Sequence, residues 1–171
     1  MTRVPETGPL RDLAISFTAA YMGTGVMEQF NALAYQKLES KEDREREEAV
    51  RPGPPPWVAA KKISGWLGLK LSEDQLNKAG LALHYLLPTQ WVPVYMALRR
   101  RTAMRPLPAG LAMGAAMSLI ADEGMTPLLG FSAPNRAYPR STHIRAFVAH
   151  LVFGVSAGVV VEGAWKLVED Q

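Results

Sequence analysis

The strongest constraint in this sequence is where charge is missing. Four stretches, about Leu13 to Tyr35, Ala79 to Leu98, Leu107 to Leu129 and Ala146 to Val168, contain almost no Lys or Arg. Each is close to the ~20 residues that a helix rising ~1.5 Å per residue needs to cross a hydrocarbon layer of roughly 30 Å. Charge collects instead in Glu39 to Arg51 and Arg99 to Arg105, and a mean hydropathy of -0.02 averages the two kinds of segment. The pattern predicts an all-α fold: an integral membrane bundle of four transmembrane helices, with residues 1–171 forming one membrane domain.

The connection between the first two stretches has three parts. Glu39 to Glu48 is a run of mixed charge, read as a solvated continuation of the first helix. Pro52-Gly-Pro-Pro-Pro ends that helix and stiffens the chain. Residues 57–71 then place Ile63, Trp66 and Leu67 on one face, so that Trp57, Lys61, Lys62 and Trp66 read as an amphipathic helix lying in the membrane interface. A helix docked on the protein itself is the competing reading. Ser72 with Gln75 fits a capping box, and Pro88 with Pro93 predicts a bent second span.

The net charge of +3 is carried by bases flanking apolar runs, which suits anionic headgroups and argues against nucleic acid as a partner. The absence of cysteine removes disulfides and thiolate chemistry. Met1 to Leu10 has no short apolar core with a cleavage site, so the first span is expected to be retained. The cluster Arg99, Arg100, Arg101 and Arg105 favours a cytoplasmic position and puts both termini on that side.

Lipid supplies little hydrophobic drive between helices, so close packing needs small residues. Gly110 and Gly114 on the third stretch and Gly154 and Gly158 on the fourth provide them at a spacing of four. Glu28 late in the first stretch, His84 early in the second, Asp122 late in the third and His150 early in the fourth fall at one depth if the helices alternate in direction. Such a polar intramembrane cluster can relay protons or ions, or ligate a divalent metal or a haem; it can also only fix helix register by hydrogen bonding. Metal and cofactor are therefore left open. Glu123 is expected to point about 100° away from Asp122, and Glu162 to pair with Lys166 one turn on. Trp91, Tyr95, Tyr138 and Trp165 read as interfacial anchors, and residues 130–143, with His143, as a loop over the bundle mouth. No hydrolase elbow, phosphate loop or dinucleotide fingerprint is present, and no catalytic residue is assigned.

The segments Pro54-Pro-Pro-Trp-Val-Ala-Ala-Lys, Ala79-Gly-Leu-Ala-Leu-His-Tyr, Asp122-Glu-Gly-Met-Thr-Pro-Leu-Leu-Gly, Tyr138-Pro and Ala149-His-Leu-Val-Phe-Gly resemble the YagU-like group of small bacterial inner-membrane proteins of unknown function. The stretch after His84, Leu86-Leu-Pro-Thr-Gln-Trp, departs from the glycine-rich pattern of that group. The resemblance implies a multi-pass protein of the bacterial inner membrane and no particular reaction. Together these readings favour a structural or accessory subunit of a membrane complex, partnered by lipid and by other subunits or copies of itself. The alternative is a proton-, ion- or metal-handling membrane protein, with an enzyme third.

Overall fold

The computed structural model describes residues 5–102 and 104–169. Among them the chain is helical, with no strand. Helix α1 spans Pro9–Lys37, α2 Lys41–Val50, α3 Pro55–Trp66, α4 Glu73–Thr89, α5 Val92–Arg101, α6 Pro106–Ala116, α7 Thr126–Leu128 and α8 Arg140–Glu169. A π-helical stretch, Met117–Met125, joins α6 to α7, and a 3₁₀ turn, Asn135–Ala137, precedes α8.

Four transmembrane helices do not survive in this architecture. Among the described residues only Arg140–Val168, within α8, is both long and apolar enough to cross a membrane. The second stretch is split because Pro88 and Pro93, five residues apart, each remove a helical donor: α4 stops at Thr89 and α5 restarts at Val92, with Trp91 N donating to Pro88 O. The third divides into an 11-residue α-helix and nine π-helical residues. Helix α1 has the length, but its Gly and hydroxyl residues together with Glu28 and Gln29 dilute its apolar character.

Helix α8 lies at the centre, antiparallel to α1 on one side and to α6 on the other. Phe153, fully buried, fits against Gly23 of α1, where a Cβ would come within 3.1 Å of the ring. Towards α6 the backbones touch. A Cβ on Gly110 would lie 2.7 Å from the Gly154 carbonyl oxygen, one on Gly114 would strike the His150 carbonyl, and one on Gly154 would strike the Gly110 carbonyl. Gly158 instead leaves room for the ring of Tyr95, at 2.8 Å. The core of Ala19, Ala20, Val92, Tyr95, Met113, Phe153, Ala157, Val161 and Trp165 surrounds this seam. Tyr95 and Trp165 are thus core residues and not interfacial anchors; Trp91 packs against the same core, partly buried.

The mixed-charge run is not a solvated continuation of α1. The chain turns at Leu38–Ser40, Ser40 caps α2 by accepting from Asp43 N, and Arg44 donates to the carbonyls of Tyr35, Gln36 and Glu39 at the end of α1. These satisfy orphan groups at two adjoining helix ends, so a break there costs little. The capping box at the start of α4 is present: Ser72 accepts from Gln75 N, and Ser72 N donates to the Gln75 side chain.

Helix α3 packs against α4, and its four interfacial candidates divide. Trp57 turns onto the protein, where a Cβ on Gly80 would lie 2.7 Å from its ring. Lys61, Lys62 and Trp66 remain exposed, Trp66 with its ring 5.9 Å from that of Phe131. The helix also ends earlier than residue 71, with Gly68 at φ 67 reversing the chain.

A polar cavity at the N-terminal end of α8

The π-helical stretch is the local event that builds the candidate site. Pro127 has no N–H to offer the carbonyl of Glu123 and its ring crowds that turn. The helix widens instead: Thr126 N and Thr126 Oγ1 both donate to Ala121 O, five residues back. The freed Glu123 carbonyl accepts from Asn135 Nδ2 at 2.8 Å. Asp122 and Glu123, expected on different faces, both line one cavity.

That cavity, about 540 Å³, lies among α1, α3, α4, the π-helical stretch and α8. All three histidines of the chain, His84, His143 and His150, line it with Glu28, Glu47, Asp122 and Glu123. The four clustered residues read from the sequence therefore share one space. Within it His84 Nε2 donates to Glu28 Oε1 at 2.8 Å. His150 Nδ1 donates to Ala146 O at 2.8 Å, and its Nε2 has no hydrogen-bond partner among the described residues. Asp122 has no hydrogen-bond partner among the described residues. Trp57 and Tyr85 add aromatic wall beside His84, with ring centroids 6.0 and 5.0 Å from it.

His143 belongs to α8 and not to a loop, because α8 begins at Arg140. Its Nδ1 donates to Glu123 Oε1 at 2.6 Å and its Nε2 to Asn135 O at 3.0 Å. Both partners are acceptors, so the ring is satisfied only as the imidazolium. Tyr138, read as a membrane anchor, stands edge-on to this imidazole, and its hydroxyl accepts from Ala133 N.

The sequence reading missed Arg145 and the acids of α2. Arg145 donates from Nε to Glu39 at 2.6 Å, from Nη1 to Asn31 at 2.7 Å and from Nη2 to Glu47 at 2.5 Å, beneath the ring of Tyr35. The side chains of Arg145, Glu39 and Glu47 are 9%, 3% and 6% exposed, so this is a buried ion triad. Helix α2 is fixed further by Ser141 donating to Asp43 and Thr142 to Glu47, which sets acids beside the N-terminus of α8, where the helix dipole favours them. Tyr35 also donates to Glu48 at 2.6 Å, and this bond pushes the phenol up to about 12. A sequence signal existed: Glu39, Asp43 and Glu47 fall four apart, an acidic stripe, and Arg145 opens an apolar helix.

No three of the described His, Asp or Glu residues converge closely enough to hold a metal ion in common. The arrangement supplies two acid–imidazole pairs, a free imidazole nitrogen and one unpaired carboxylate, which are groups that take up and pass protons or bind a small cation.

At the opposite end of α8, Glu162 pairs with Arg99 of α5 and not with Lys166. Arg99 Nε donates to Oε1 at 2.5 Å and Nη2 to Oε2 at 3.2 Å, while Tyr95 OH donates to Oε1 at 2.9 Å. Comparison with known proteins found no matching family model, curated protein or solved structure.

Proposed function

We propose that the protein works embedded in a membrane and handles protons or small cations through the cavity at the N-terminal end of α8. The observation that carries this reading is that every histidine of the chain meets four carboxylates around one cavity, and one of those acids, Asp122, is left without a partner among the described residues. Thr24 and Ser118, four residues before Glu28 and Asp122, are buried with hydroxyls that also lack partners among the described residues, so polar groups continue inward from the cavity.

Membrane insertion is supported by α8 and by the exposed apolar side chains around it, among them Leu13, Phe17, Leu86, Leu111, Ile120 and Val159. The charged groups Arg145 and Glu162 lie about 26 Å apart along α8 at the α-helical rise, close to the thickness of a hydrocarbon layer. The resemblance to YagU-like proteins would make that membrane the bacterial inner membrane. The same exposed apolar surface favours a second reading, an accessory subunit docked against other membrane proteins.

Reconstitution into liposomes carrying a pH or monovalent-cation gradient separates the two. Flux above that of protein-free liposomes, falling at least about tenfold in Asp122→Asn and His150→Gln, is the expected result. Flux that is absent, or indifferent to both substitutions, rejects the first reading. Silent protein that co-purifies stoichiometrically with larger membrane subunits would establish the second.

A further inference from the structure

A second cavity, about 490 Å³, opens at the other end of the bundle between the start of α1 and the α4–α5 junction. Its walls are apolar, from Leu13, Leu86, Pro93, Met96 and Ala97, while Gln90, Arg100 and Arg101 stand among its lining. The three successive arginines here are not equivalent. Arg99 is neutralised by Glu162. Arg100 is neutralised by Asp12, donating to both carboxylate oxygens, and also donates to Pro5 O and Thr7. Arg101 is exposed and has no carboxylate or hydrogen-bond partner among the described residues, and the same holds for Arg105 and for Arg11 in the first turn of α1.

An apolar groove with uncompensated guanidinium at its mouth matches a molecule with an apolar chain and an anionic head. We propose that one anionic phospholipid binds here, an acyl chain in the groove and its phosphate on Arg101. Arg101 presents a planar fork of donors to phosphate oxygens, and the fixed Arg100–Asp12 pair holds the rim without adding net charge. The chain lies against Leu13, Leu86 and Pro93, side chains that water would otherwise meet. This rests on membrane placement and not on the role of the polar cavity.

Native mass spectrometry of the full chain, released from micelles containing dioleoylphosphatidylglycerol or dioleoylphosphatidylcholine, tests it. One phosphatidylglycerol should be retained per protein in preference to phosphatidylcholine. Arg101→Gln should weaken that retention about fivefold, the scale of one basic residue at an anionic lipid surface. Ala97→Phe, which fills the groove, should abolish it while thermal melting by circular dichroism stays cooperative. Asp122→Asn should leave it unchanged, so a failed cavity reading and a failed lipid site are told apart. Equal retention of both lipids, or normal retention in both groove variants, overturns the proposal. So does a chain beginning at Pro5 that binds phosphatidylglycerol where the full chain does not, since the first four residues would then be the occupant. Protein that remains monodisperse without detergent overturns the membrane placement itself.

Discussion

The two ends of α8 each hold an arginine against carboxylate, but they are built on opposite electrostatic plans. At the C-terminal end one acid, Glu162, meets one guanidinium, Arg99, in a two-point contact with Tyr95 donating from the side. At the N-terminal end one guanidinium, Arg145, meets two buried acids, and three histidines with further carboxylates surround a cavity beside it. A balanced pair locks two helices together. A cluster built on acids and imidazoles stays sensitive to protons and cations, because those groups exchange them.

The largest expected effect comes from breaking the unbalanced end. Arg145→Met leaves Glu39 buried without its cation and Glu47 with only Arg51, 3.8 Å away, and should cost about 3–5 kcal/mol, read as lost thermal stability in detergent and release of α2 to proteolysis. Arg99→Met should cost less, about 2 kcal/mol, since Glu162 is more exposed than either acid and keeps Tyr95 as a donor. Melting temperatures that fall equally would erase the contrast between the ends.

The acid side of the pH profile sharpens the same comparison. Hydrogen bonding from Arg100 holds Asp12 below its ordinary 3.8. A carboxyl depressed in the folded state adds stability above its unfolded value, and that share is lost as pH falls through the folded value. Asp12→Asn should therefore destabilise by at most about 1 kcal/mol at pH 6, with the gap to the wild type closing below about pH 4. A gap that widens on acidification would show that Asp12 is not the titrating partner. The smallest stability effect belongs to Asp122→Asn, within about 0.5 kcal/mol of the wild type, because no protein hydrogen bond is lost. A loss of 2 kcal/mol or more in the same melting assay would mean that Asp122 is a structural partner and not a free acid.

Much of the site was legible because it follows from local rules. A helix puts residues four apart on one side, so Gly110, Gly114 and Gly154 could be read as a packing seam, and they are where α6 and α8 approach. Alternating helix direction likewise gathers Glu28, His84, Asp122 and His150 around one cavity. Ser72 and Gln75 carried their capping box within four residues. What failed has identifiable causes. Two prolines divided one apolar stretch, a π-helical stretch another, and polar residues diluted α1, so among the described residues four apolar runs became one spanning candidate.

The sequence alone determined helix, caps and the glycine seam, because each depends on sterics and hydrogen bonding within a few residues. Only the tertiary structure decided that Glu39 and Glu47 fold back onto Arg145, that Glu162 chooses Arg99 over Lys166, that Tyr95 and Trp165 enter the core, and that Glu123 turns in beside Asp122 to hold His143. In those cases the chain offers several partners of like chemistry. The choice falls to whichever pairing lets distant helices pack while leaving the fewest buried charges unmatched, and no short window of sequence contains that comparison.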